Sequence, residues 1–246
     1  MALTPRRPPS VDVVEREPSI DLDAGSILFE DAHLVAVDKA AGWLSDATRD
    51  PRRDHLGAAL SRWAEDQAGD GTFLPVHRLD RATSGVVLFA RSAEAATGVM
   101  QQFQERSVSK RYCAIVTPPV GEWPAGSTFE RRSHLRHRKG RTEEVRTGGK
   151  VAESRFEVVD RGGRLALITA RPRTGRTHQL RVHLAALGAP IVGDDLYGDG
   201  GAPVGRMWLH AERLDLRHPG TAGPLAIRSR RTFALTGGRP EEAPAT

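Results

Sequence analysis

The sequence predicts an α+β domain built around a mostly antiparallel sheet. Three observations carry this. Strand-like segments outnumber helix-like ones, the two kinds do not alternate regularly, and one strand pair is joined by the turn at Gly162-Gly163. Regular alternation would have indicated a doubly wound parallel sheet.

Taken in order, His33 to Lys39 reads as a strand with Val35 and Val37 apolar. Asp54 is placed to cap a helix reaching about residue 68, with Leu56, Leu60 and Trp63 on one face and Gly69 as the stop. Val86 to Phe89 is a continuous apolar strand. Ser92 is placed to cap a helix in which Ala96, Val99, Met100 and Phe103 recur at helical spacing. Tyr112 to Val116 is a further strand, and Phe156 to Val159 pairs with Leu165 to Thr169. Thr177 is placed to cap a helix through Leu180, Leu184 and Leu187, ended by Gly188. Met207 to His210, Leu214 to Leu216 and Phe233 to Leu235 add short strands. No linker or repeat divides these elements. Residues 1–25 read as a tail, 26–236 as one catalytic body and 237–246 as a second tail.

Composition bounds the function. The chain has 246 residues, 39% hydrophobic and 27% charged, a globular balance able to bury a core. The longest apolar run, Val86 to Ala90, is far short of the ~20 residues of a membrane helix, so no membrane partner is expected. The single cysteine, Cys113, excludes an internal disulfide or a cysteine-based zinc site and, with no apolar leader, points to a reducing cytoplasm. The net charge is +5, and lysine occurs only at 39, 110, 139 and 150, so arginine supplies the other 32 of the 36 basic residues. Arginine suits bidentate phosphate contact and base stacking, which points to nucleic acid; a codon bias toward arginine gives the same surplus.

Four segments carry chemistry-bearing residues. His77-Arg78-Leu79-Asp80-Arg81-Ala82-Thr83-Ser84-Gly85 is a polar loop feeding the buried strand at Val86. Arg78 and Arg81 flank Asp80 and favour its ionised form, as a nucleophile needs; a carboxylate that merely ties the loop down fits the same residues. In Thr174-Gly175-Arg176-Thr177-His178-Gln179-Leu180-Arg181-Val182-His183 a glycine turn feeds a helix start, and Arg176 is placed to reach a carboxylate such as Asp80. His178 and His183, five apart, do not share a helical face, so a metal site is not expected. In Lys110-Arg111-Tyr112, Tyr112 reads as a stacking platform or as a packed core edge. The run 131–141, with Arg136, Arg138 and Lys139, reads as a basic loop, either tracking phosphates or simply solvated. No phosphate loop, dinucleotide fingerprint or nucleophile elbow is present, so neither cofactor nor metal is called for.

Together these residues resemble the RluA-type family of pseudouridine synthases. The loop His77 to Gly85, Lys110-Arg111-Tyr112, the run Gly175 to His183, Gly188 to Asp194, Leu196-Tyr197-Gly198, Leu209-His210-Ala211 and His218-Pro219 match in order and spacing over about residues 26–235. The resemblance implies a bent, mainly antiparallel sheet flanked by helices around a central cleft, and an isomerase that turns uridine in ribosomal or transfer RNA into pseudouridine. It implies a monomer with Asp80 as nucleophile, Arg176 as its salt-bridge partner and Tyr112 packed on the target uracil. His77, Arg78, Leu79, Arg81, Thr83, Gln179, Leu180 and Arg181 are expected to bind substrate, with Arg136, Arg138 and Lys139 on the RNA backbone. One departure is Lys39-Ala40-Ala41-Gly42, where the family usually has proline after the lysine. It bears on RNA choice more than on chemistry.

Overall fold

The structure, a computed structural model, describes residues 19–67, 71–119, 122–198 and 205–245. In chain order, β1 (Ile27–Glu30) and β2 (Leu34–Lys39) precede α1 (Leu56–Asp66). Next come β3 (Leu74–Pro75), β4 (Ser84–Ala90), α2 (Ala93–Gln104) and β5 (Ser109–Val116). Four successive strands follow: β6 (Thr128–Arg138), β7 (Arg141–Val145), β8 (Lys150–Gly162) and β9 (Leu165–Pro172). The last elements are α3 (Gln179–Ala186), β10 (Leu209–Arg217), β11 (Pro224–Arg228), β12 (Arg231–Thr236) and β13 (Arg239–Pro244).

The main sheet runs β1-β2-β4-β10-β5-β9-β8-β6-β7, with β3 on β4 and β11 on β10, and β12-β13 form a separate pair. Among the described strands every pairing is antiparallel except β4 with β10. That contact needs glycine. At Gly85, φ is +111°, and a Cβ there would stand 2.2 Å from the Ala211 carbonyl oxygen. One rung of the sheet therefore runs Lys39, Gly85, Ala211, Tyr112, Ala170, Phe156, so Lys39 and Tyr112 lie level with the start of β4.

The core explains the element types. Every residue of β2 is buried, because helices cover both of its faces. Val35 and Val37 pack with Leu56 and Leu60 of α1, while Leu34 and Ala36 pack with Ala96 and Val99 of α2. A third cluster joins Ile115, Phe156, Ile168 and Leu184, and seats α3 against β5, β8 and β9.

Several local expectations are corrected. The α1 cap is His55, whose Nδ1 accepts from Ala58 N–H at 3.3 Å. Asp54 is held instead by the Arg62 guanidinium at 2.6 Å and by Ile20 N–H, since a charged donor outcompetes a helix amide. Ser92 does cap α2, accepting from Ala95 N–H at 3.1 Å. The N-cap position of α3 is His178, not Thr177, in a left-handed conformation with no side-chain cap. Residues 131–141 are not a loop but most of the β6–β7 hairpin. Its basic strands are compatible because Arg131 faces Glu144, Arg136 faces Glu143, and Arg132 pairs with Glu153 of β8.

Neither tail is only a tail. Ile20 and Leu22 are buried in the α1 cluster, and Arg62 Nη2 donates to Ile20 O at 2.9 Å. Residues 1–18 lie outside the described residues. At the other end, 239–244 form β13, paired with β12 and tied to the body by an Arg206–Glu242 ion pair.

Candidate active site

The loop before β4 is held from below by β2 and the turn after it. Ser45 Oγ both accepts from Leu79 N–H and donates to Leu79 O, each at 3.1 Å. Gly42 N–H donates to Arg81 O at 2.8 Å, and Thr83 N–H to Asp80 O at 3.0 Å. Lys39 is fully buried at the end of β2. Its Nζ donates to the Ala40, Trp43 and Arg81 carbonyls at 3.0, 2.8 and 3.0 Å, which uses all of its ammonium protons. Burial pulls its pKa down to about 7, and Asp80 opposes that shift.

This loop delivers Asp80 into a cleft of about 810 Å³. Two side chains from the α3 start, a guanidinium and an imidazole, face its carboxylate. Arg181 Nη1 lies 3.7 Å from Oδ2, and His178 Nε2 lies 3.9 Å from Oδ1. Arg181 is itself fixed. Its Nε and Nη2 fork onto the fully buried Asp194 carboxylate at 2.8 and 2.6 Å. Asp194 also accepts from Leu196 and Tyr197 N–H, each at 3.0 Å, and is kept in its charged form mainly by Arg181. Tyr112 lines the same cleft from β5, and burial, aided by Asp80, raises its pKa, so its hydroxyl stays protonated. An acid held between an arginine and an imidazole, beside a neutral phenol in an open cleft, suits attack on a bound base or sugar.

Residues 33–186 match the family described as RNA pseudouridylate synthase. The chain belongs to that family. It is 34% identical over 215 residues to the ribosomal large subunit pseudouridine synthase C of Vibrio vulnificus, covering 82% of this chain and 64% of that one. It is 35% identical over 224 residues to the tRNA pseudouridine synthase C of Salmonella typhimurium, covering 82% and 84%. The solved structure titled human RNA Pseudouridylate Synthase Domain Containing 4 superposes with a TM-score of 0.64 at 27% identity, covering 82% and 87%. The α+β, mostly antiparallel fold is thus that of a pseudouridine synthase.

Within this family member the cleft gathers Arg78, Leu79, Asp80, Arg81 and Thr83, and from further along the chain Tyr112, Arg176, Gln179, Leu180 and Arg181. The expected Arg176–Asp80 pair is corrected: the carboxylate's charged partner is Arg181, with the His178 imidazole on its other oxygen. Arg176 lines the cleft, but its Nε donates to Val151 O at 3.1 Å. The left-handed turn at His178 starts α3 in a direction that carries Arg181, not Arg176, onto Asp80. Gln179 lines the cleft with its side-chain amide engaged by the protein itself. Its Oε1 accepts from Thr174 Oγ1 and Arg176 N–H, and its Nε2 donates to Glu153 O and Ser154 Oγ, so it holds the turn. His77 lies outside the cleft lining. Its Nε2 accepts from Leu88 N–H at 3.0 Å, its ring packs on Phe103, and burial pulls its pKa down to about 4. Arg136, Arg138 and Lys139 sit at the exposed hairpin end, from which His137 and Gly140 reach the cleft.

Sequence reading missed Lys39, Asp194 and Tyr197 as parts of the site. Lys39 carried a signal, a lysine ending an apolar strand just before a glycine turn. Asp194 and Tyr197 carried none beyond their place in the family resemblance.

Proposed function

We propose that this protein isomerises chosen uridines in ribosomal or transfer RNA to pseudouridine, with Asp80 as nucleophile. The observation that carries this reading is the Asp80 carboxylate held between Arg181 and His178 in a cleft shared with Tyr112. Family membership and the names of its relatives supply the reaction. The N1–C1′ bond breaks, the uracil turns, a C5–C1′ bond forms, and the C5 proton is lost as N1 regains one. Product and reactant are isomers, so the cycle closes without external energy. Asp80 serves by attack at C1′ or at C6. Arg181 faces and anchors it, and Tyr112 walls the pocket that retains the detached base. The target nucleotide flips out of any helix to reach this depth.

The surroundings suit a polyanion. A second hollow of about 360 Å³, lined by Arg106, Lys110, Arg171 and Arg173, shares Lys110 and Pro172 with the cleft. No helix among the described residues is long and apolar enough to cross a membrane. The reading places the protein in the cytoplasm as a monomer.

Asp80→Asn keeps the shape and removes the charge. Pseudouridine formation on unmodified transcripts of ribosomal and transfer RNA is expected to fall at least ~10³-fold, with RNA affinity within about threefold. Product at the wild-type rate would refute the role of Asp80. Release of free uracil by the wild type would reassign the chain as a hydrolase.

A further inference from the structure

His178 stands at the start of α3 with φ +55° and ψ +19°, a left-handed conformation that costs a non-glycine residue on the order of 1 kcal/mol. What the turn achieves is the ring's position. Nε2 faces Asp80 Oδ1 at 3.9 Å, and Nδ1 lies 2.8 Å from the Tyr197 hydroxyl. That hydroxyl accepts from Thr142 N–H at 2.7 Å and has its own proton available to donate to Nδ1. An Nδ1 that accepts places the imidazole proton on Nε2, aimed at the carboxylate.

The chain of partners continues into the hairpin. Thr142 and Arg141 belong to β7, and the Arg141 and Arg181 guanidiniums lie 5.0 and 5.2 Å from the Tyr197 ring centroid. His137 meets the His178 ring edge-on at 5.7 Å. Tyr197 is thereby fixed by Asp194, by Arg181 and by the hairpin whose end carries Arg138 and Lys139.

We propose that His178 is a positioning residue for the Asp80 reaction, a neutral imidazole locked by Tyr197 in the Nε2–H form and linking the carboxylate to the β6–β7 hairpin through Thr142. The inference rests on the nucleophile reading above. Burial lowers the pKa of His178; Arg181 and His137 lower it further, while Asp80 and Asp194 oppose them. The ring is therefore an uncharged donor near pH 7. It steadies the carboxylate charge before attack and again when the second step expels the carboxylate, and no proton need leave it.

Tyr197→Phe removes the lock and lets the ring turn its Nε2 lone pair toward Asp80. At pH 8, kcat is expected to fall roughly 10- to 100-fold with KM within about twofold. Relative to wild type, activity should recover as pH falls and the imidazolium carries protons on both nitrogens. His178→Gln should lose kcat and abolish that recovery in the double variant. Independently of activity, ¹⁵N NMR of histidine-labelled wild-type protein should show an Nε2–H tautomer in the signal that His178→Gln deletes. An Nδ1–H signal there, or unchanged kcat in a folded Tyr197→Phe variant of an active wild type, would overturn the inference. A wild type that makes no pseudouridine would defeat the reaction instead and leave the NMR result standing.

Discussion

Arg181 faces three carboxylates: Nε and Nη2 fork onto Asp194, Nη2 also donates to Asp195 Oδ1 at 3.0 Å, and Nη1 lies 3.7 Å from Asp80. Lysine keeps the charge but cannot make that fork. Arg181→Lys is therefore expected to lower kcat about 100-fold while RNA affinity changes little. Arg176→Gln is expected to weaken RNA binding and leave kcat within about twofold, because Arg176 sits on the cleft wall with Val151 O as its partner. Single-turnover rates and filter binding on the two variants decide, and the opposite pattern would restore Arg176 as the partner of Asp80. Sequence alone could not choose between them. Both are arginines of one motif, and the choice lies in the backbone angle at His178.

At the scale of elements, the β6–β7 hairpin is a basic arm built from paired strands. Arg136 is tied to Glu143 at 2.8 Å, while Arg138 and Lys139 are exposed at the turn. Replacing Arg136, Arg138 and Lys139 by glutamine is expected to weaken RNA binding. It should also reduce the slope of log K against log salt by about 0.7 to 0.9 for each RNA phosphate that is no longer neutralised. An unchanged slope would remove the hairpin from the footprint. The central strands and α2 were legible in sequence, because burial on both faces leaves an apolar run and Ser92 is a plain cap. The hairpin was not, because cross-strand Arg–Glu pairs replace the apolar alternation that marks a strand.

Across the whole molecule, two buried histidines are held in uncharged form. His183 lies between Ser133 and Ser154, His210 is bonded to Ser84, and burial pulls both pKa values down to about 4. Unfolded histidine titrates near 6.5, so between about pH 6.5 and 4 the unfolded chain binds more protons than the folded one. Stability must therefore fall as pH drops through that window. The urea midpoint is expected to decline from about pH 7 to about pH 5, and His183→Gln should flatten the decline; an equal slope in the variant would exonerate His183. Sequence by itself determined the fold class, the two central strands and the motifs that carry Asp80, Tyr112 and the basic turn, because those depend on local periodicity and on residue types adjacent in the chain. The tertiary structure decided which arginine meets Asp80, that the polar groups of Gln179 are engaged within its own turn, that His77 lies outside the cleft lining, that Lys39 holds the loop carrying Asp80, and that 239–244 is a strand. Each depends on partners far along the chain or on one turn's handedness, and neither leaves a local pattern to read.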